Sequence, residues 1–292
     1  MTVKKTSNTK RMAFVAGGWH YPRHFFEMIA AQEIPKGWKV DLFCIGHRDP
    51  PGLPYEKQEI WDRENTNNVL YELDRILYKE FATKEDLKKL GWKFSLEENT
   101  VGDFEYLNQW LDKNDWKKYD IIASSHDDNL IISRRFFADI LEDRVPLFQK
   151  DPVKGESNMP AKDRNWLILD HAPAATYYHI RCTLDFFKKE VIEMAGGRFD
   201  SSSINLKRVG EFNTPTSHNA LAEWNKWTDI MIKFIEQHKL QKKIKYLSPY
   251  YRVSPYCIEC ERGFVNRTGW GGEEFINGIN ELIRIGTIKV VK

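Results

Sequence analysis

Two apolar runs joined by a helix-like segment constrain the fold of this chain more than any other feature. Met12–Ala16 and Val40–Ile45 are short, apolar and bounded by turn residues, which predicts two buried strands. Between them, apolar side chains from Phe25 to Ala30 recur at roughly helical spacing. A strand, a helix and a strand in so short a stretch form a βαβ unit. The chain is therefore predicted to be α/β, with a mainly parallel central sheet flanked by helices.

Later segments continue the same pattern of strands and helices. The predicted helices are Val69–Phe81, Thr100–Asp112, Ser133–Leu141, Ala220–Gln237 and Phe275–Ile285. Thr83 and Asp86 are spaced as a capping box for one more short helix, which ends at Gly91. Trp166–Leu169 is a predicted strand, and Thr183–Ala195 is predicted to run from a strand into a helix closed by two glycines.

Composition and cysteine usage exclude several classes of protein. Of 292 residues, 29% are charged and 41% are apolar, which is normal for a globular chain with a sizeable core, and the net charge of +2 gives no reason to expect a nucleic acid as partner. Cys257 and Cys260 form a lone CxxC, so a structural zinc site is disfavoured, while Cys44 and Cys182 are predicted core residues. Without a membrane-spanning stretch or a signal-like N-terminus, a cytoplasmic location is predicted.

A buried strand that ends in carboxylates marks the candidate site. Tyr119–Ala123 is the apolar strand, and it is followed by Ser124, Ser125, His126, Asp127, Asp128 and Asn129. The carboxyl edge of an open α/β sheet is where ligands bind. Two adjacent carboxylates repel each other, and Mg²⁺ or Mn²⁺ relieves that repulsion. The alternative interpretation is an ordinary solvated polar turn after the strand.

The glycine pair after the first strand leaves two interpretations open. Gly17 and Gly18 do not form a GxGxxG fingerprint, which disfavours a Rossmann dinucleotide site. A glycine turn lets backbone approach a nucleotide base or phosphate closely, but it is also the usual way to make a tight turn. Arg48, soon after the second strand, is either a phosphate-binding residue or an ordinary surface arginine.

The order of these segments resembles that of GT-A fold glycosyltransferases, in particular divergent family-2-like enzymes encoded by bacteriophages and microbes. The resemblance runs from Met12 to Phe234 and implies one catalytic domain over 1–292. Its parts would be a nucleotide-binding half at 1–130, an acceptor half at 131–240 and a C-terminal loop and helix at 241–292. The residues that it implies for nucleotide binding are Ala16, Gly17, Gly18, His47, Arg48, Asn108 and Asp127.

The same resemblance places the metal motif of the family at HDDN. The family usually has Asp-x-Asp, whereas this chain has His126, Asp127 and Asp128, so the working pair is either His126 with Asp128 or Asp127 with Asp128. Asp128 is the first candidate for a direct ligand of Mn²⁺ or Mg²⁺, and Asp127 is either a ligand or a partner of sugar hydroxyls. A divalent cation there would neutralise the diphosphate that leaves from a sugar nucleotide.

On the acceptor side, the segment RCTLDFFKKEVIEMAGGRFD resembles the strand, helix and turn beside the acceptor site of the family. An inverting enzyme needs a base for the acceptor hydroxyl, and the candidates are Asp200, Glu211 and Glu223. Glu223 is preferred, because Glu223-Trp224 stands where the family often has an acidic pair at the start of a helix. A solvated helix residue is the alternative for Glu223, and a helix cap is the alternative for Asp200.

The predicted function is the transfer of a sugar from a nucleotide-diphosphate sugar to the hydroxyl group of a carbohydrate or other acceptor. Two alternatives stay open. A zinc-dependent sugar deacetylase uses a His-Pro-Asp-Asp motif, which HDDN resembles without its proline. A non-catalytic carbohydrate-binding or virion accessory protein would keep the fold and lack the chemistry.

Overall fold

This computed structural model describes most of the first 145 residues and separate segments after them. The described residues are 9–51, 68–98, 104–145, 149–150, 185–199, 230, 233–240, 242, 245–246, 250, 253–259 and 272–289. Their strands are β1 (Lys10–Gly18), β2 (Trp38–Gly46), β3 (Trp92–Leu96), β4 (Ile121–His126), β5 (Asn129–Ile131), β6 (Gln149–Lys150), β7 (Asp185–Lys188), β8 (Lys245–Tyr246) and β9 (Cys257–Glu259). Their helices are α1 (Arg23–Ala30), α2 (Asn68–Leu77), α3 (Lys84–Lys89), α4 (Glu105–Lys113), α5 (Phe136–Leu141), α6 (Lys189–Met194) and α7 (Gly272–Arg284).

The main sheet has the strand order β3-β2-β1-β4-β7. β1 pairs in parallel with both β2 and β4, and β2 pairs in parallel with β3. β7 runs antiparallel to β4 at one edge. Two small ribbons, β5 with β9 and β6 with β8, lie outside this sheet. The predicted α/β class with a mainly parallel sheet is confirmed, and β4, with Ile122 fully buried, lies inside the sheet.

Successive side chains of β1 enter two separate cores, because side chains alternate between the faces of a strand. Met12 and Phe14 pack into the core that contains side chains of α1, α2 and α5. Ala13 and Val15 pack into the core that contains side chains of α4. The inward-facing residues predicted for that helix region, Phe104, Leu107, Trp110 and Leu111, are all buried. Helices on both faces explain why the β1 sequence is apolar without interruption.

β1, β2 and β4 are longer than predicted, and β3 and the short strands β5, β6, β8 and β9 were not predicted. β1 continues through Gly17 and Gly18, which were predicted to form a turn. β4 continues to His126, because Gly17 pairs with it across the sheet. β3 was not predicted, since its five residues are too few to display a clear alternation. The turn after β1 therefore begins at Trp19, one residue beyond the glycine pair.

Local end signals correctly predicted the start of α3 and the end of α6. At the start of α3, Thr83 Oγ1 accepts the N–H of Asp86 at 3.2 Å, and the N–H of Thr83 donates to Asp86 Oδ2 at 3.0 Å. This is the predicted capping box. After α6, Gly196 and Gly197 have φ of 75° and 83°, the left-handed conformation in which glycine ends helices.

Some predictions fall on residues outside the described ranges. These are the strand Trp166–Leu169, Cys182, Cys260 and most of the helix Ala220–Gln237, and the single domain over 1–292 likewise stays a prediction. Cys44 and Cys257 are buried, Cys44 as predicted. None of the helices in the described part of the chain is long and apolar enough to cross a membrane.

Candidate functional site

Three chain segments meet at the carboxyl edge of the main sheet. β1 ends at Gly18, β2 at Gly46 and β4 at His126. In register, Gly17 lies between Ile45 on one neighbour and His126 on the other. The chain passes from β1 to β2 and β3 on one side and places β4 on the other, so β1 and β4 flank a topological switch point. Open α/β sheets bind their ligands at such points.

Asp127 lies beneath this edge with 1% of its surface exposed, and it binds the loop that follows β1. Its Oδ2 accepts the N–H groups of Trp19, His20 and Tyr21 at 2.8, 2.9 and 2.7 Å. Its own N–H donates to the carbonyl of Gly17 at 3.1 Å. A carboxylate is a strong acceptor for backbone amides. The residue predicted to bind metal or sugar thus directs Oδ2 to the backbone of its own protein.

The packing of Tyr21 explains why both β1 and β2 end in glycine. Tyr21 is fully buried with φ of +55°, and its hydroxyl donates to the carbonyl of Arg48 at 2.6 Å. A Cβ at Gly18 would lie 2.7 Å from the Tyr21 ring, and one at Gly46 would lie 2.2 Å from its hydroxyl oxygen. Both separations are shorter than any tolerated contact between non-bonded atoms. Glycine is needed at Gly18 and Gly46 for the ring of Tyr21.

Ala16 and Gly17, two predicted nucleotide contacts, are also surrounded by the protein. Ala16 is fully buried in the core. A Cβ at Gly17 would lie 2.9 Å from the ring of Tyr106. That ring meets the His126 ring edge to face, with the centroids 5.0 Å apart. Ala16 and Gly17 are therefore covered by the protein itself, and the exposed groups at this edge come from other residues.

Trp19, Arg48 and His47 form the rim above the ends of β1 and β2. Trp19 is 39% exposed, and the Arg48 guanidinium lies 4.8 Å from the centroid of its ring. Arg48 Nε also donates to the carbonyl of Trp19. Burial lowers the pKa of Arg48 from its ordinary value, although the charge of Asp127 opposes this. The backbone N–H of His47 donates to the carbonyl of Gly18 at 3.0 Å. Its ring Nε2 is hydrogen-bonded to Gln109 Oε1, also at 3.0 Å.

His126, the last residue of β4, and Asp128, in the turn from β4 to β5, lie at the other side of the edge. His126 is exposed and Asp128 is half-buried. Asn129 is buried, and its Nδ2 donates to Ser125 Oγ at 2.8 Å and to the His126 carbonyl at 3.2 Å. These bonds fix the turn from behind. Of the three predicted metal ligands, His126 and Asp128 are the two that reach the surface.

The donor set at this edge fits one kind of metal site. Among the described residues, no group of three or more His, Cys, Asp or Glu side chains is placed to hold a metal ion. Magnesium is often bound in another way, through one or two carboxylates together with phosphate oxygens of the substrate. Asp128, which is half-buried next to the switch point, fits a site in which one carboxylate and substrate phosphates share the cation. It does not fit a closed cage of protein ligands.

Asn108, predicted to contact the nucleotide, is fully buried and engaged with the backbone of Phe199. Its Nδ2 donates to the Phe199 carbonyl at 2.5 Å, and its Oδ1 accepts the Phe199 N–H at 2.7 Å. This pair joins α4 to the segment after Gly197. The side chain thus positions the chain that leads to Asp200, and both of its polar groups already have protein partners.

The candidate bases lie outside the described residues. They are Asp200, Glu211 and Glu223. Sequence reasoning did not single out Trp19 or Tyr21 as site residues. A signal for them is present in the sequence: two aromatic residues, Trp19 and Tyr21, come directly after the first buried strand, with His20 between them. Only the register with β4 places these residues opposite Asp127.

No protein-family model and no curated protein matches the chain. Solved structures with some similarity include S. aureus TarS, at 11% identity and a TM-score of 0.32, and 4-diphosphocytidyl-2C-methyl-D-erythritol synthase from Anaerococcus prevotii DSM 20548, at 11% and 0.37. The matches cover 63% and 95% of this chain, and 29% and 97% of the respective neighbours. Glycosyltransferase GlyE of Streptococcus pneumoniae TIGR4 matches at 10% and 0.35, over 96% of this chain and 64% of its own. TM-scores below 0.5 carry no weight for function.

Proposed function

We propose that this protein transfers a sugar from a nucleotide-diphosphate sugar to an acceptor hydroxyl, with Mn²⁺ or Mg²⁺ held at Asp128. One observation supports the proposal most. The switch point between β1 and β4 collects a half-buried carboxylate, an aromatic ring with a guanidinium against it and a histidine at a single sheet edge. The resemblance of the segment order to GT-A glycosyltransferases directs the choice towards a sugar nucleotide.

Each polar group at the rim of the edge has a role in this proposal. The Arg48 guanidinium donates to phosphate oxygens, for which its fork of N–H groups is suited. Asp128, with His126 as a second candidate, contributes protein ligands to the cation, which neutralises the charge of the leaving diphosphate when it is bound. Glu223, or Asp200 in its place, takes the proton of the acceptor hydroxyl.

Calorimetric titration tests the donor site. Uridine, guanosine, cytidine and adenosine diphosphates are titrated with and without Mn²⁺, and at least one is expected to bind in a Mn²⁺-dependent way. Asp128→Ala should abolish that dependence, and its thermal unfolding midpoint is measured to show that the variant is folded. Asp115→Ala is the matched control, since Asp115 is an exposed aspartate near the opposite end of β4 and makes no side-chain cap bond.

Three results separate the proposal from its alternatives. Unchanged Mn²⁺ dependence in Asp128→Ala would contradict the site. Tight zinc binding, with release of acetate from N-acetylated sugars, would indicate a deacetylase, because zinc favours histidine ligands more than magnesium does. Binding of a nucleotide sugar with no turnover against any acceptor would indicate the non-catalytic protein.

A further inference from the structure

The environment of Asp127 sets it apart from the residues around it. The side chain is 1% exposed, and a buried carboxylate is costly unless its oxygens are hydrogen-bonded. Here three consecutive amides, from Trp19 to Tyr21, point at Oδ2 alone. Successive backbone N–H groups that converge on one anion form a concave nest. Such a nest is an anion-binding site, and here the anion is a side chain of the same protein.

Contacts other than the nest also hold the loop from Trp19 to Tyr21. Tyr21 takes a left-handed backbone conformation, which costs free energy for any residue with a side chain. The carbonyl of Trp19 faces Arg48, and the hydroxyl of Tyr21 reaches the carbonyl of the same arginine. The contact between Arg48 and the Trp19 ring is thus part of the same loop arrangement whose three amides converge on Asp127.

We infer that Asp127 is a positioning residue, which shapes the Trp19–Tyr21 loop and thereby presents the Trp19 ring and the Arg48 guanidinium at the rim. Asp127 is then not a metal ligand, and the two adjacent aspartates have separate tasks. Asp127 is buried and holds the loop, while Asp128 is the proposed ligand of the cation. The structural part of this inference stands by itself, and its effect on nucleotide binding rests on the proposed function.

Amide hydrogen exchange tests the structural part without any ligand. In Asp127→Ala, the amide hydrogens of residues 19–21 should exchange with solvent at least about tenfold faster than in the wild type. The variant loses three hydrogen bonds to a charged acceptor, which are stronger than bonds to a neutral one. Protection in the middle of β1 and β4 should stay. Asp120→Ala is the matched control, because Asp120 Oδ2 also accepts a β1 amide, that of Arg11 at 2.7 Å, but at the opposite end of the sheet. Unchanged exchange at 19–21 in Asp127→Ala would overturn the inference.

Titration with Mn²⁺ separates positioning from metal binding. Asp127→Asn keeps an acceptor oxygen for the amides but is a much poorer ligand for a divalent cation. It should therefore bind the nucleoside diphosphates with unchanged Mn²⁺ dependence and with an affinity within about tenfold of the wild type. Loss of the Mn²⁺ dependence in Asp127→Asn would overturn the inference and make Asp127 a ligand. If Asp127→Ala does not fold, Asp127→Asn still decides, because its neutral oxygen holds the three amides less tightly. Exchange at 19–21 should then be faster than in the wild type while protection in the middle of β1 and β4 stays, and unchanged exchange would overturn the inference.

Failure of the inference and failure of the proposed function give different results. If the wild-type protein binds no nucleoside diphosphate, the proposed function fails, and the exchange experiment still measures the role of Asp127. If nucleotides bind but exchange at residues 19–21 does not depend on Asp127, the positioning role fails and the donor site remains.

Discussion

An aspartate flanks β4 directly at each end, Asp120 before it and Asp127 after it, and each binds backbone that belongs to β1 or follows it. Asp120, at the amino end, is exposed and accepts one amide, that of Arg11. Asp127, at the carboxyl end, is buried and accepts three consecutive amides. One amide joins two strands that are already paired, whereas three amides determine the shape of a loop. The same residue type thus fastens the sheet at one end and builds the candidate site at the other.

Charges at the amino end are paired mainly with one another. Asp41 accepts hydrogen bonds from Arg11 at 2.6 Å, from Lys93 at 2.9 Å and from the Tyr119 hydroxyl at 3.1 Å. Burial alone would raise the pKa of Asp41, but the bonds from Lys93 and Arg11 outweigh burial and lower it to about 2. This arrangement stabilises the folded state. At the carboxyl end, by contrast, polar and aromatic groups are presented at the surface, which is what binding requires.

The largest expected effect is on the rate of the proposed sugar transfer, which takes place at the carboxyl end. Glu223→Gln keeps the shape of the side chain and removes the proton acceptor, so kcat should fall roughly a hundredfold or more. Nucleotide affinity should barely change, because the predicted role of Glu223 is on the acceptor side. Steady-state kinetics with the donor identified by calorimetry measures both quantities.

Asp200→Asn is the comparison for that variant. An equal loss in Asp200→Asn, with none in Glu223→Gln, would move the role of base to Asp200. Full activity in both variants would argue against an inverting mechanism that uses either carboxylate.

Gly46→Ala should have the next largest effect, and it is specific to the carboxyl end. The added Cβ would lie 2.2 Å from the Tyr21 hydroxyl oxygen and 2.7 Å from the Phe94 ring. Overpacking of this kind costs about 1–3 kcal/mol in the free energy of unfolding, measurable by urea denaturation. Because Tyr21 also shapes the loop, nucleotide affinity should fall as well.

A double-mutant cycle with Tyr21→Phe checks the cause of that loss. Removing the hydroxyl oxygen relieves the shortest contact, so the double variant should be less destabilised than the sum of the two single changes. Strict additivity would mean that the Tyr21 hydroxyl is not what excludes a side chain at Gly46.

The smallest effect is expected at the amino end. Asp41→Asn should lower the free energy of unfolding and leave nucleotide affinity unchanged. The pKa of Asp41 in the folded protein is about 2, below its ordinary value of 3.8. Its contribution is therefore present above about pH 4 and is lost as the pH falls towards 2. The difference in unfolding free energy between wild type and Asp41→Asn should shrink over that range in urea titrations. A difference that stays constant from pH 5 to pH 2 would contradict the assignment.

The hydrophobic pattern was sufficient to predict the α/β class, the mainly parallel sheet and the buried strands β1, β2 and β4. Met12–Ala16 and Ile122 are apolar because helices cover both faces, and such burial is visible in a sequence. The roles of individual polar residues were not visible in this way. Asp127 and Asp128 are neighbours of identical type, and only the register of β4 against β1 turns the first inward to the Trp19 loop. Likewise, Gly18 is explained by Tyr21, a contact that no local pattern contains.

Hydrogen exchange with and without ligand tests the central claim most directly, namely that the carboxyl edge between β1 and β4 binds the nucleotide. The wild-type protein is exchanged alone, with Mn²⁺, and with Mn²⁺ plus the nucleoside diphosphate that binds most tightly. Added protection is predicted at residues 17–22 and 124–129, with none at residues 38–41 and 118–121 of the amino end. Protection confined to the amino end, or to segments away from both ends, would contradict the claim.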